Sequence, residues 1–260
     1  MTAVARAVGS FLAQVRGAYS KYVVTIAALI DNGCGEVIGT GSIIRFRSDV
    51  FLLTAAHVLT KIKSENRGMS FSNGDGRPYI RMHGDFLVNT KLDVALYKFP
   101  LPLGPDFSVE ACPETMIAAS SACSDKDILF VFGFPGEESR FSALLNGIRS
   151  KSLTYGGKPV ISGDSFFDPL MHLGMTFDPT HVIGGDGEKS DLPKPSGLSG
   201  SPVWRIPWMG NVRKWETPDA RIVGVSLRFD ERERCIVALR IESIWELLRA
   251  TGQSDTIQFS

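Results

Sequence analysis

Residues 51–59 read Phe51-Leu52-Leu53-Thr54-Ala55-Ala56-His57-Val58-Leu59, an apolar run that passes through two alanines and delivers one histidine. A lone imidazole beside apolar residues is ordinarily a packed or surface group. Its meaning therefore depends on whether the rest of the chain supplies what makes an imidazole a base. Thirty-six residues further on, Asp93 opens the apolar segment Asp93-Val94-Ala95-Leu96. Alone, it reads as a strand-edge aspartate capping a turn. Residues 195–204, PSGLSGSPVW, then place Ser199 in a glycine-rich turn before a strand, again a weak signal by itself. Taken in order, the three supply what acyl transfer requires: a hydroxyl to attack, a base to take its proton, and a carboxylate to fix the imidazole tautomer. Two backbone N–H groups must also face the developing oxyanion, and the amides of Gly197 and Ser199 are placed to provide them. Gly197 permits the tight turn before the serine, and Gly200 permits close backbone approach after it.

The rest of the composition is that of an ordinary globular protein. The chain has 260 residues, 43% hydrophobic and 22% charged, with a formal net charge of +0 at pH 7. That length suffices for one large domain or two small ones packed together. Zero net charge implies no bulk attraction to nucleic acid or to an anionic membrane, so neither is expected as a partner. No apolar run approaches the roughly 20 residues of a membrane span. Arg6, Arg16 and Lys21 interrupt the N-terminal apolar stretches, so the start does not read as an export signal. The four cysteines, Cys34, Cys112, Cys123 and Cys235, form no CxxC pair and no disulfide-scaffold or zinc spacing. Reduced thiols in a cytoplasmic protein are the expectation.

Strand signals dominate. Segments 22–30, 37–46, 50–56, 94–99, 128–134, 202–206, 222–229 and 235–241 are short, rich in β-branched and aromatic residues, and bounded by Gly, Pro, Asp or Asn. Helical periodicity is confined to about the first 16 residues, where Val4, Val8, Phe11, Leu12 and Val15 share a face, and to 241–252, which ends in Gly252. This pattern predicts an all-β sandwich or barrel with short N- and C-terminal helices. The proline-bearing stretch 100–127 reads as a connector between two halves. A second irregular stretch, 179–197, has the length of a functional loop.

These motifs allow a resemblance to be stated. With GTGSIIRF, LLTAAHVL, DVAL, FGFPG, GLSGSPVW and IVGVSL spread from about residue 39 to 229, the chain resembles the trypsin-like, chymotrypsin-fold serine peptidases. The resemblance implies two antiparallel six-stranded β-barrels with the site in the cleft between them. The expected limits are an N-terminal helix over 1–20, a first barrel over 21–100, a linker over 101–126, a second barrel over 127–240, and a C-terminal helix and tail over 241–260. It also implies His57 as general base, Asp93 as its orienting partner and Ser199 as nucleophile. FGFPG and GLSGSPVW are similar to the forms found in the bacterial HtrA-like and defence-gene-associated branch. Secreted relatives carry, immediately before the serine, an aspartate that pairs with a newly cut N-terminal amine. Here that position is Leu198 and no Ile-Val-Gly-Gly start is present, so that activation is excluded. From the chain length, no PDZ module of roughly 80–90 further residues is expected. Control in trans, by an activating or effector protein partner, is the resulting expectation.

By the same resemblance the substrate pocket falls near Pro193, Ser226 and Arg228. Arg228 stands where open-pocketed relatives often have glycine. It makes the pocket either shallow, for a small residue before the scissile bond, or cationic, for an acidic one; alternatively it points to solvent. His83, His172 and His181 are too scattered for a zinc site. Residues 184–191, GGDGEKSD, lack the alternating ligand spacing of a calcium loop. No metal and no cofactor is expected. Two functions remain open: an intracellular serine endopeptidase acting on a protein or peptide substrate, or a protease-fold binding or scaffold protein with a latent or inactive site. An α/β-hydrolase is disfavoured, because it would alternate strands with helices and run Ser, Asp, His.

Overall fold

The computed structural model describes residues 14–29, 35–64, 68–72, 75–78, 80–83, 86–100, 109–142, 147–161, 166–177, 195–207 and 219–251. Pro193, His181, residues 184–191, Trp208, Trp215, residues 1–13 of the expected N-terminal helix, and the C-terminal tail lie outside the described residues.

The first half is built mainly of strands, with one helix between the third and fourth. The strands are β1 (Val23–Leu29), β2 (Gly35–Phe46), β3 (Asp49–Ala55), β4 (Gly68–Ser72), β5 (Asp75–Pro78), β6 (Ile80–Met82), β7 (Leu87–Asn89) and β8 (Val94–Lys98). The second half contributes β9 (Ile128–Gly133), β10 (Ser139–Ser142), β11 (Gly147–Ser150), β12 (Leu153–Gly157), β13 (Pro159–Val160), β14 (His172–Thr176), β15 (Pro202–Ile206), β16 (Arg221–Asp230) and β17 (Cys235–Arg240). One antiparallel sheet runs β6-β4-β1-β2-β3-β8-β7 and the other β12-β9-β15-β16-β17-β14-β13. A small sheet, β10-β11-β5, ties a strand of the first half to a hairpin of the second.

Each large sheet has seven strands among the described residues, one more than the six expected. The extra pairings come from short edge segments such as Ile80–Met82, Leu87–Asn89 and Pro159–Val160, too brief to show a period-2 pattern. The central strands are different. Val23 to Ala28 are buried on both faces, as are the inner positions of β3 and β16, so they read as continuous apolar runs.

Two helices lock the halves together. Residues 14–19 are helical, and Tyr19 from this segment packs on Trp204, with ring centroids 4.4 Å apart, while Trp204 stacks on Phe130 at 6.1 Å. All three rings are buried. At the other end, a helix over Ile241–Thr251 leaves the second half and buries Ile244, Leu247 and Leu248. Its Trp245 meets Phe46 at 5.7 Å and donates its indole N–H to the Ala118 carbonyl at 2.8 Å. Between the halves, the Cys112 amide bonds the Ile43 carbonyl and the Ala118 amide bonds the Ile222 carbonyl, so residues 112–118 step from one sheet to the other.

Candidate active site

The register of β3 with β8 pairs Ala55 with Val94 and Thr54 with Ala95. Continuing that ladder by one step sets Asp93 opposite Ala56, and the Ala56 amide does donate to the Asp93 carbonyl at 3.1 Å. The chain then turns into helix Ala56–Ser64, with His57 in its first turn. The Asp93 carboxylate uses both oxygens on one residue. Oδ1 accepts the His57 backbone N–H at 2.9 Å, and Oδ2 lies 2.8 Å from the ring Nδ1. An acidic group at a helix N-terminus satisfies an orphan amide and complements the helix dipole. Here it also fixes the ring, because an Nδ1–H held on a carboxylate leaves Nε2 as the free basic nitrogen. Asp93 adopts φ +53°, a left-handed conformation that aspartate tolerates better than most residues. The imidazole is half exposed, at 48%, so an approaching group can reach it.

Ser199 is placed by the turn 195–201. The Leu198 amide bonds the Pro195 carbonyl and the Ser201 amide bonds the Leu198 carbonyl, which winds the turn tightly. Gly197 and Gly200 take φ +95° and +89°. A side chain on Gly197 would begin 2.7 Å from the Gly136 nitrogen and 2.9 Å from the Phe134 oxygen; on Gly200 it would enter the Thr40 carbonyl and the Thr54 hydroxyl. Gly200→Ala is therefore expected to destabilise the fold by ~2 kcal/mol or more, read as a lower urea midpoint.

The turn is pinned from both halves. Thr40 donates its amide to the Ser199 carbonyl at 2.9 Å, and the Gly200 amide reaches the Ser226 carbonyl at 2.7 Å. Gly39 marks the meeting point, since a Cβ there would touch both Val58, beside His57, and the Ser199 carbonyl. The described residues thus join His57 to Asp93 directly, and set the helix carrying His57 and the Ser199 carbonyl on either side of Gly39. The serine hydroxyl donates to the Leu227 carbonyl at 2.9 Å and makes no hydrogen bond to His57. Among the described residues the amides of Gly197 and Ser199 have no backbone acceptor.

Of the residues expected in the pocket, Ser226 is buried and serves the turn through its backbone, exchanging bonds with Ser201 and Gly200. Arg228 is exposed, just past a bulge in β16 that displaces Leu227 from the ladder. Burial pushes the His172 imidazole below its ordinary value, and the Arg228 and Arg240 charges act in the same direction. Protonation at His172 therefore favours unfolding. Its contribution to stability is complete above the unfolded value near 6.5 and falls as pH drops below it. Thermal melts of His172→Gln are expected to decline less between about pH 7 and pH 5 than those of the wild type.

The described cysteines, Cys123 among them, are all held toward the neutral thiol by burial. Burial pushes the Cys112 thiol up to about 12 and the Cys235 thiol up to about 11, so both stay protonated near neutrality. Beside the serine turn lies a cleft of about 490 Å³, walled by Glu36, Lys61, Glu137, Arg140 and Gly197. Lys61 and Glu36 pair across it at 3.5 Å. Sequence reasoning passed over the cleft, and it passed over Thr40 and Leu227 as well. Thr40 sits in the quoted GTGSIIRF motif, and a lone threonine between two glycines was the available signal.

No protein-family model and no curated protein matches the chain. Among solved structures, the Rv3671c protease from M. tuberculosis in its active form aligns with a TM-score of 0.52 at 20% identity, over 94% of this chain and 86% of that one. An inactive form of the same protein, a serine-to-alanine mutant, gives a TM-score of 0.51 at 18% identity, over 94% of this chain and 93% of that one. The fold is a chymotrypsin-like double barrel. The serine protease domain of the Sesbania mosaic virus polyprotein matches at 17% identity with a TM-score of 0.47, over 86% of this chain and 91% of that one. At such identities the likeness of the double barrel concerns architecture, and the chemistry rests on the residues themselves.

Proposed function

We propose that the chain is a serine endopeptidase that hydrolyses peptide bonds through an acyl-enzyme on Ser199. The observation that carries this reading is the double grip of Asp93 on His57, through backbone N–H and ring Nδ1, in a chain that also holds a serine on a two-glycine turn. His57 Nε2 takes the Ser199 proton as the hydroxyl attacks the substrate carbonyl, and Asp93 stabilises the imidazolium that forms. The Gly197 and Ser199 amides receive the oxyanion. His57 then gives its proton to the leaving amine, and a water activated by the same imidazole releases the acid product.

The Leu227 carbonyl lies on one side of Ser199 and the Glu36–Lys61–Glu137–Arg140 cleft adjoins the turn at Gly197. In this reading the acyl segment of the substrate lies along β16 and the leaving segment enters the cleft. Arg228 at the exposed end of β16 favours an acidic or small residue before the scissile bond. The substrate is a protein or peptide, and regulation acts in trans, in a reducing cytoplasmic setting. Incubation with a mixed peptide library and mass spectrometry of the products tests this. Cleavage by wild type and none by Ser199→Ala is expected, and a strong preference for Arg or Lys before the cut would overturn the assignment of the pocket.

One observation favours a second reading, a protease fold whose site is latent. The Ser199 hydroxyl is engaged by the Leu227 carbonyl instead of by His57. A site that stays silent toward all peptides yet gains activity on adding a cell extract would support latency.

A further inference from the structure

We propose that Thr40 is the positioning residue that holds the oxyanion-binding turn in its working shape, doing with one hydroxyl what an ion pair at Leu198 cannot do here. This inference rests on the peptidase reading of the same site. Thr40 is wholly buried, and every polar atom it owns is engaged. Its amide donates to the Ser199 carbonyl at 2.9 Å, and its carbonyl accepts the Thr54 hydroxyl at 2.8 Å. Its own hydroxyl donates to the Gly197 carbonyl at 2.8 Å and accepts the Phe134 amide at 3.1 Å.

Three successive peptide planes make up the turn around the oxyanion. The Ser196 carbonyl is held by the Gly136 amide at 3.0 Å, which directs the Gly197 N–H the opposite way. The Leu198 carbonyl is held by the Ser201 amide at 2.9 Å, which likewise directs the Ser199 N–H. The plane between them is held at its carbonyl by the Thr40 hydroxyl, a side-chain bond where its neighbours have backbone ones. At φ +95°, Gly197 is the joint with the most alternative conformations, since it carries no Cβ to exclude them. Leu198 is buried and apolar and supplies no charge to order the turn. Losing the Thr40 hydroxyl leaves the Gly197 carbonyl and the Phe134 amide without their partner, and the Gly197–Leu198 peptide is then held only through the Leu198 N–H on the Pro195 carbonyl, so its plane is free to tilt.

The test compares Thr40→Val, which keeps the shape and removes the hydroxyl, with Thr40→Ser, which keeps the hydroxyl. Two readouts are used: the rate at which a fluorophosphonate labels Ser199, and the amide NMR signals of Gly197, Leu198 and Ser199. Thr40→Val is expected to slow labelling by about 10- to 100-fold, with KM for a cleaved peptide nearly unchanged and the three amide signals shifted. Thr40→Ser is expected to restore both. Wild-type labelling and unshifted amides in Thr40→Val would overturn the proposal, as would a Thr40→Ser variant as impaired as the valine. If wild type itself takes no label, the peptidase reading fails, and the amide signals still decide on Thr40. Should Thr40→Val fail to fold, the serine variant decides alone: near-normal labelling and amide signals support the hydroxyl as the latch, and their loss overturns it.

Discussion

Ser199→Ala is expected to lower peptide hydrolysis by about 10⁶-fold, and His57→Ala by a similar factor, with the double variant no worse than either alone. In the proposed mechanism the two side chains act in one step. Without the hydroxyl there is nothing to acylate, and without the imidazole the hydroxyl keeps its proton, so removing the second group takes away nothing further. Steady-state kinetics on a peptide cleaved by wild type, measured for both single variants and the pair, checks this. Additive losses would mean that the two residues do not cooperate. Removal of the Ser199 hydroxyl is also expected to leave the fold intact, because backbone groups of Ser199, Gly200 and Ser201 pin the turn and only the hydroxyl's single bond to the Leu227 carbonyl is lost.

Asp93→Asn is expected to cost about 10⁴-fold in kcat, with little change in KM. An asparagine can keep Oδ1 on the His57 amide, so the helix start survives. Its NH₂ group would then face Nδ1, where the carboxylate now sits 2.8 Å away. That donor requires Nδ1 to accept, which moves the ring proton to Nε2 and removes the base. A partial recovery at high pH, where hydroxide attacks directly, fits this tautomer argument. An Asp93→Asn variant with wild-type kcat would refute it.

The sequence made the centre of each sheet legible and the edges illegible, for a physical reason. Strands β1, β3 and β9 are buried and apolar along nearly their whole length, and β16 is buried from Ile222 to Leu227, so their composition announces them. Strands such as Ile80–Met82 and Pro159–Val160 exist because a neighbour offers unpaired backbone groups, and that cause leaves little trace in side chains. The helix at Ile241–Thr251 was visible because its apolar face recurs at helical spacing. Ala56–Ser64 was not, because its start is fixed by a carboxylate 36 residues away.

The candidate site divides along the same line. His57, Asp93, Ser199 and the two glycines stand out because the chemistry restricts which residue types can occupy those positions. Thr40 could not be read in this way. Its role lies in bonds to Gly197, 157 residues away, and to Phe134, 94 residues away, and neither bond leaves a local pattern. The orientation of the Ser199 hydroxyl toward Leu227 was equally hidden, since a rotamer is set by its surroundings.

The central claim is that His57 and Asp93 make Ser199 a nucleophile. Intact-mass spectrometry after incubation with a fluorophosphonate tests it most directly, with peptide mapping to locate the adduct. The account predicts one adduct per chain, on Ser199, formed by wild type and by neither Ser199→Ala nor His57→Ala. A folded wild-type protein that takes no adduct, or an equal adduct on Ser199→Ala, would contradict it.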